Sequence, residues 1–223
     1  MDKNLNFEYI SNSEESRKYY SKVIDELNIN SGTLIDFGCG MGQLSILASK
    51  RATNCKILGI DLNPPQTVEI SGKLEFVQGG LEDLDAILCK ENVSYLIFSN
   101  CIQYLNINEV NRIVARHMSI QKVFISTAFS KFYWIRFIQA IKKMRLREII
   151  RYFLLLLKSS LVPYFLYANS EREKPPSFRQ INAGREAAGL SLVNAFYADI
   201  WGDKYPWIGN RNILNCYLFT RKN

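Results

Sequence analysis

Residues 34–43, which read LIDFGCGMGQ, decide the fold of this chain. They join a short apolar run, of the kind found in buried strands, to a turn with three glycines, and helix-forming residues follow directly. Glycines let the backbone approach a ligand closely, and the first N–H groups of the following helix point toward the same ligand. The stretch therefore predicts a strand, a binding turn and a helix, in that order.

The same alternation of apolar, β-branched runs with helical patterns continues to about residue 128. It is typical of a doubly wound α/β sheet with Rossmann-like topology. The predicted strands are 33–37, 56–60, 74–77, 95–98, 122–126, 192–197 and 213–220. The fold class predicted is α/β: a seven-stranded, mostly parallel sheet with an antiparallel final strand and a helical insertion after the fifth strand.

Helical patterns cover five further stretches of the chain. They are approximately 14–27, 43–50, 84–90, 108–117 and 177–188. The length of 223 residues and the 48% hydrophobic content fit one full core better than two small ones. We therefore predict a single domain over residues 1–223, with a basic and aromatic helical insertion over residues 130–170.

Composition narrows the class of protein. The single histidine, His117, excludes sites that need two histidines, and the five cysteines form no C-x-x-C pair, so no metal site or disulfide framework is predicted. The N-terminal stretch lacks the basic start and apolar run of a secretory signal. A cytoplasmic location is therefore expected, with the inner membrane surface as an alternative.

Two aspartates narrow the identity of the ligand. Asp36 precedes the first glycine by two positions, which gives D-x-G-x-G-x-G rather than the G-x-G-x-x-G of dinucleotide sites. A carboxylate there repels a pyrophosphate but suits the amino group and sulfonium of S-adenosylmethionine. Asp61 closes the next strand, where an acidic side chain can accept hydrogen bonds from both ribose hydroxyls. The pair favours S-adenosylmethionine over NAD.

Four stretches together resemble the class I S-adenosylmethionine-dependent methyltransferases, in particular the branch that acts on small molecules, lipids and glycans. They are LIDFGCGMGQ at 34–43, LGIDLNP at 58–64, FVQGGLEDL at 76–84 and LIFSNCIQYL at 96–105. The resemblance implies S-adenosylmethionine as the cofactor. The cofactor-binding residues that it implies by position are Asp36, Gly38, Gly40, Gln43, Asp61, Leu62, Leu81, Glu82, Asn100 and Gln103.

The implied contacts differ along the cofactor. Asp36 and the glycines lie around the methionine part, Leu62 lies against the adenine face, and Asn100 and Gln103 lie beside the reacting end. Leu81 and Glu82 lie near the edge of the adenine. The family often has an acidic residue where this chain has Gly80, so Glu82, Asp83 or backbone groups are the alternatives for the adenine amino group.

No catalytic residue follows from the sequence. Methyl transfer from a sulfonium requires no protonation of the leaving group, so proximity and desolvation supply much of the rate. The candidates that face the predicted crevice are Gln103, Tyr104 and Tyr20, with Tyr19 interpreted as a packing or lid residue. His117 lies at a helix end, far from the carboxyl ends of the strands, and is interpreted as non-catalytic. Asp199 and Trp201 are turn or edge residues that can border the acceptor.

The insertion carries the whole net charge of the chain. Eight basic residues and one acid lie between residues 131 and 158, and the chain has a net charge of +7. Read as a single helix, the segment is amphipathic, with Arg136, Lys143 and Arg147 on one side and Trp134 and Ile141 on the other. It is too interrupted by charges to cross a membrane. A lid, a membrane-surface element and a nucleic-acid contact are the three interpretations.

The leading hypothesis is a methyltransferase that acts on oxygen or nitrogen of a small, hydrophobic, lipid-type or glycan-type acceptor. Its alternatives are an RNA methyltransferase that uses residues 131–158 and a non-catalytic binding or scaffold subunit. The sequence assigns no oligomeric state.

Overall fold

The computed structural model describes residues 14–65, 72–128, 176–199 and 213–221, with eight isolated positions between 141 and 154. The strands are β1 Gly32–Phe37, β2 Cys55–Asp61, β3 Leu74–Gln78, β4 Val93–Ser99, β5 Lys122–Ala128, β6 Leu190–Asp199 and β7 Ile213–Arg221. The helices are α1 Glu14–Leu27, α2 Gln43–Arg51, α3 Leu81–Lys90, α4 Ile107–Arg116 and α5 Phe178–Ala187, and a 3₁₀ turn covers Ile102–Tyr104.

All seven strands form one sheet in the order β3-β2-β1-β4-β5-β7-β6. Strands β1 to β5 pair in parallel, whereas β7 runs antiparallel to both β5 and β6. The predicted fold class is therefore confirmed, including the antiparallel final strand. The strand order reverses between β1 and β4, and ligands of such sheets bind at the carboxyl ends of the strands beside that switch point.

The helices begin and end close to the predicted positions. The largest difference is α3, which begins at Leu81 rather than at residue 84. The side chain of Asp83 accepts a hydrogen bond from the backbone N–H of Gly80 at 2.8 Å, and this cap extends the helix toward its N-terminus. At α5, Ser177 and Gln180 form a reciprocal capping box, which satisfies the first free N–H groups of the helix.

The core consists of two apolar layers, one on each face of the sheet. On one face, Ile35, Leu96 and Ile125 pack with α3, α4 and α5. On the other face, Leu34 and Phe124 pack with α1 and α2. Successive strand residues alternate between the layers because side chains of a strand point to opposite faces. This alternation also decides which polar side chains at the strand ends lie together.

Helix α1 presents its apolar side to the sheet, as its pattern predicts. Tyr19, Val23 and Leu27 are all buried. The phenolic oxygen of Tyr19 lies 2.9 Å from the Ser99 hydroxyl and 2.7 Å from the Ser126 hydroxyl. Tyr19 is thus a packing residue and not a lid, and it ties α1 to the carboxyl ends of β4 and β5.

The interpretation of residues 131–158 as a single helix is wrong. Met144 lies in a turn with φ of 52°, and its N–H donates to the carbonyl of Ile141 at 3.0 Å. A left-handed residue cannot continue a right-handed helix, so Met144 interrupts the helical pattern between the helical residues Ile141 and Leu146. Most of the predicted insertion, 130–170, lies outside the described residues, so its boundaries stay a prediction. Within the described part of the chain, no helix is long and apolar enough to cross a membrane.

Candidate cofactor and active site

The glycine turn after β1 combines two kinds of glycine. Gly38, Gly40 and Gly42 all have positive φ, at 72°, 55° and 71°. A side chain at Gly42 would place its Cβ 2.3 Å from the ring of Phe76, and one at Gly38 would lie 2.6 Å from Cys101 Cβ. At Gly40 nothing lies within 4 Å of the same position. Packing requires the outer two glycines, whereas Gly40 borders open space that a ligand can enter.

Asp61 holds this turn against β2. Its Oδ2 accepts the N–H of Gly40 at 2.9 Å, and its Oδ1 accepts the N–H of Asn63 at 3.0 Å. The backbone N–H of Gly38 donates to the carbonyl of Ile60 at 2.7 Å, which brings the turn and the strand end together. Each carboxylate oxygen keeps acceptor capacity. Asp61 can therefore anchor the turn and accept ribose hydroxyls; the sequence indicated only the second role.

Asp36 is a buried carboxyl with one unpartnered oxygen. Ser45 donates its hydroxyl to Oδ2 at 2.7 Å, while Oδ1 has no hydrogen-bond partner in the part of the chain that the structure describes. Burial raises the pKa of Asp36 to about 6, the bonds from Ser45 oppose this rise, and the charge of Asp61 adds to it. A cation that donates to Oδ1 would satisfy both the charge and the acceptor. Gln43, the first residue of α2, follows the turn directly.

The segment after β4 is held by its own hydrogen bonds. The backbone N–H of Asn100 lies 3.1 Å from the carbonyl of Ser126 and 2.9 Å from its hydroxyl, and Asn100 has φ of 54°. The side-chain amide of Gln103 donates to the Asn100 carbonyl at 2.7 Å and to its Oδ1 at 3.1 Å. Gln103 is buried, and its Oε1 has no partner. The structure thus brings Asn100 and Gln103 together, as the resemblance implies.

The two candidate tyrosines lie in different surroundings. Tyr20 is half-buried, and burial, with the nearby charge of Asp36, raises its pKa to about 12. A phenol with that pKa stays protonated at neutral pH, so it can donate a hydrogen bond but is poorly suited to be a general base. Tyr104, at the end of the 3₁₀ turn, is 56% exposed. Catalytic roles for Gln103, Tyr104 and Tyr20 stay predictions.

The residues expected at the adenine differ in exposure. Leu62, directly after β2, is 65% exposed, and Glu82 is also exposed. Leu81 is half-buried and packs against the core layer of α3 and α4. The carboxylate of Asp83 already caps α3 through Gly80. Glu82 and Asp83 are the two acidic alternatives for binding the adenine amino group. Only the Asp83 carboxylate is used by the helix cap.

Two groups of predicted residues lie elsewhere. His117 caps the C-terminus of α4, and its Nε2 lies 2.8 Å from Oδ1 of Asp85. This end of α4 leads into the first residues of β5. His117 therefore lies near the amino-terminal ends of the strands, whereas the glycine turn lies at their carboxyl ends, as expected. Trp201 and the side chain of Asp199 lie outside the described residues.

Three polar residues near the glycine turn and the carboxyl ends of the strands were not predicted from the sequence: Ser45, Ser126 and Thr127. Ser45 bonds Asp36, and Ser126 bonds both Tyr19 and Asn100. Thr127 is buried and its hydroxyl has no partner. Two successive hydroxyl residues at the end of an apolar strand were the available signal in the sequence.

The residues present fit S-adenosylmethionine. Asp36 Oδ1 is an unpartnered buried acceptor that suits an ammonium group, and Asp61 has acceptor capacity for ribose hydroxyls. The backbone at Gly40 leaves room for close approach. These are the donors and acceptors that the methionine and ribose parts of that cofactor require.

Comparison with known sequences agrees with this geometry. Residues 34–122 match the family model of a methyltransferase domain. The ribosomal protein L11 methyltransferase of Yersinia pseudotuberculosis is 38% identical over 73 residues, which are 33% of this chain and 24% of that protein. The chain therefore spans about a quarter of the length of the curated relatives that it matches.

Solved structures of similar fold extend over nearly the whole chain. Magnesium protoporphyrin IX methyltransferase from Synechocystis PCC 6803 with bound S-adenosylhomocysteine has a TM-score of 0.61 at 12% identity and covers 97% of this chain and 93% of its own. The 1,6-didemethyltoxoflavin-N1-methyltransferase of Burkholderia thailandensis has a TM-score of 0.59 at 10% identity, and the match covers 99% of this chain and 84% of that protein. At these identities the likeness shows the fold. The family match over residues 34–122, the similar fold and the fit of the site together support a class I S-adenosylmethionine-dependent methyltransferase.

Proposed function

We propose that this protein transfers a methyl group from S-adenosylmethionine to an oxygen or nitrogen atom of a small, hydrophobic acceptor. The main support for S-adenosylmethionine as the methyl donor is Oδ1 of Asp36, which is buried, has no partner among the described residues and lies beside the open glycine turn. A carboxyl in that state lacks a cationic donor, which the amino group of S-adenosylmethionine supplies.

The site residues hold and orient the reactants. When bound, the cofactor supplies an electrophilic methyl group on a sulfonium. Asp36 would hold its amino group and Asp61 its ribose, and Asn100 with Gln103 lies beside the carboxyl end of β4, where the acceptor would meet it. Because the leaving thioether is neutral, alignment and exclusion of water are the main tasks of the protein.

The acceptor class rests on the insertion and on the neighbours of similar fold. The sequence places Phe132, Tyr133, Trp134 and Phe137 at the start of the insertion, directly after β5. Two proteins of similar fold are named for methylation of small molecules, magnesium protoporphyrin IX and 1,6-didemethyltoxoflavin. An aromatic segment that follows β5 in the sequence favours a hydrophobic acceptor, including a lipid-linked one.

Exposed apolar side chains favour a peripheral membrane contact for the insertion, and with it a location at the inner membrane surface. Leu146, Ile150 and Leu154 follow one another at four-residue spacing and are 69%, 53% and 58% exposed. They lie in the segment that holds the whole positive charge of the chain. Exposed apolar residues at four-residue spacing, with arginine and lysine nearby in the sequence, are typical of helices that bind anionic lipid surfaces.

The donor assignment is tested by calorimetry with S-adenosylhomocysteine and by transfer from methyl-labelled cofactor to a small-molecule extract. We expect wild-type protein to bind the ligand and to label acceptors that partition into organic solvent. Absence of ligand binding at millimolar concentration contradicts the donor assignment. Binding without transfer to any extract supports a scaffold protein, and label in RNA supports an RNA methyltransferase.

The membrane contact is tested by flotation with liposomes that contain anionic lipid, compared with liposomes of neutral lipid. We expect flotation with the anionic liposomes at low salt and its loss at high salt. The double variant Ile150→Ser, Leu154→Ser should float less, whereas the matched pair Leu192→Ser, Val193→Ser, exposed on β6, should float like wild type. Equal recovery of wild type with both liposomes contradicts the proposal.

A further inference from the structure

Two buried polar atoms beside the carboxyl ends of β4 and β5 lack hydrogen-bond partners among the residues that the structure describes. They are Oε1 of Gln103 and Oγ1 of Thr127. The residues are only 8% and 3% exposed. A buried polar atom without a hydrogen bond is costly, so native proteins rarely leave one unless a ligand or water completes it.

Thr127 lies on the face of the sheet that carries the core layer of α3, α4 and α5. Along β5, Val123 and Ile125 point into the core layer of α4, and alternation places Thr127 on that same face. Ile102, the residue before Gln103, packs into the same layer, and its 3₁₀ turn lies against β5. Gln103 and Thr127 therefore lie on two elements that contact each other, at the end of the sheet where the resemblance places the reacting group.

Aromatic side chains continue this face across β7. Asn215 lies directly opposite Thr127 in the antiparallel pair, and Tyr217, two residues further, lies opposite Ile125. The ring of Phe178, at the start of α5, packs against Tyr217 with centroids 5.0 Å apart. The Thr127 hydroxyl, with the rings of Tyr217 and Phe178 on the same face, suits an aromatic molecule that carries one polar substituent.

We propose that Gln103 Oε1 and Thr127 Oγ1 recognise the hydroxyl or amino group of the acceptor that receives the methyl group. This inference rests on the proposed function. An amide oxygen only accepts hydrogen bonds, so the ligand must donate one, while the threonine hydroxyl can donate or accept. An O-methylated product has no O–H left to donate, so the same pair favours binding of the substrate over the ether product.

The test uses 2-naphthol and its methyl ether, 2-methoxynaphthalene, as matched probes on protein saturated with S-adenosylhomocysteine. We expect wild type to bind 2-naphthol about tenfold more tightly than the ether. Thr127→Val, which keeps the side-chain shape but removes the hydroxyl, should reduce this preference to about threefold or less. Thr127→Ser, which keeps the hydroxyl, should retain it.

Thermal unfolding of the same variants separates recognition from a structural role. If the Thr127 hydroxyl has no partner in the protein, Thr127→Val should unfold at the wild-type temperature or above it. A fall of several degrees, equal affinity of wild type for both probes, binding of neither probe, or an unchanged preference in Thr127→Val each overturns the proposal. Failure of S-adenosylhomocysteine to bind wild type instead contradicts the proposed function, and the probes are then compared on the free protein.

Discussion

The substitution Asp36→Asn should stabilise the free protein and weaken cofactor binding at the same time. Asp36 is fully buried, only Ser45 hydrogen-bonds its carboxylate, and Oδ1 has no partner. An amide has nearly the same shape, carries no charge, and can still accept the Ser45 hydroxyl. The variant therefore removes the cost of a buried charge without creating a cavity.

The size of the effect follows from the pKa. Burial raises the pKa of Asp36 from 3.8 to about 6, a rise worth about 3 kcal/mol at about 1.4 kcal/mol per unit. Because the folded-state pKa is raised, the stability associated with the neutral carboxyl is present below about pH 3.8 and is lost as the pH rises through about 6. At pH 7.5, Asp36→Asn should therefore exceed wild type by up to about 3 kcal/mol, or roughly 6–12 °C in Tm.

Thermal unfolding of ligand-free protein at pH 7.5 and at pH 4 measures this difference. The advantage of Asp36→Asn should be largest at pH 7.5 and should nearly vanish at pH 4. The matched control is Asp25→Asn, which removes an exposed carboxylate that lies 3.1 Å from Arg51. That control should change the free energy of unfolding by less than about 1 kcal/mol.

Cofactor binding should respond in the opposite direction. By calorimetry at pH 7.5, the Kd of S-adenosylhomocysteine should rise at least tenfold in Asp36→Asn, because the amide cannot neutralise the amino group of the ligand. For wild type, the Kd should rise about tenfold per pH unit below about pH 6, and this dependence should be absent in the variant. A destabilised Asp36→Asn at pH 7.5, or an unchanged Kd, refutes the reasoning.

Other substitutions separate structural from binding roles. Asp61→Ala should raise the Kd of S-adenosylhomocysteine at least tenfold by calorimetry, because it removes the ribose acceptor and the anchor of the Gly40 N–H; little change would contradict both roles. Gly42→Ala should lower the free energy of unfolding in urea by more than about 2 kcal/mol, since its Cβ would meet the Phe76 ring. Gly40→Ala should lower the free energy of unfolding by only about 1–2 kcal/mol, because open space surrounds the new Cβ. Its main effect should be a loss of ligand affinity. Equal destabilisation by the two glycine variants would contradict this distinction. Tyr19→Phe should cost about 1–3 kcal/mol in the same unfolding assay, because it leaves buried serine hydroxyls short of a partner.

Much of the fold could be predicted because it depends on local patterns. Short apolar, β-branched runs placed all seven strands, and a helical pattern placed α5. Predicted boundaries moved where a side chain acts on a neighbouring backbone, as Asp83 does at the start of α3. The single-helix interpretation of 131–158 failed at Met144, because no glycine or proline marks its left-handed conformation in the sequence.

By itself, the sequence determined the sheet, the glycine turn and the two acidic residues of the cofactor motif. Those features depend on residue type and spacing, which the chain carries locally. Only the tertiary structure decided that Tyr19 is a packing residue, that Asp61 also anchors Gly40, and that Asp36, Gln103 and Thr127 hold unpartnered buried atoms. The physical reason is that burial and hydrogen-bond partners arise when distant strand ends meet, so the need of a polar atom for a ligand exists only in the folded chain.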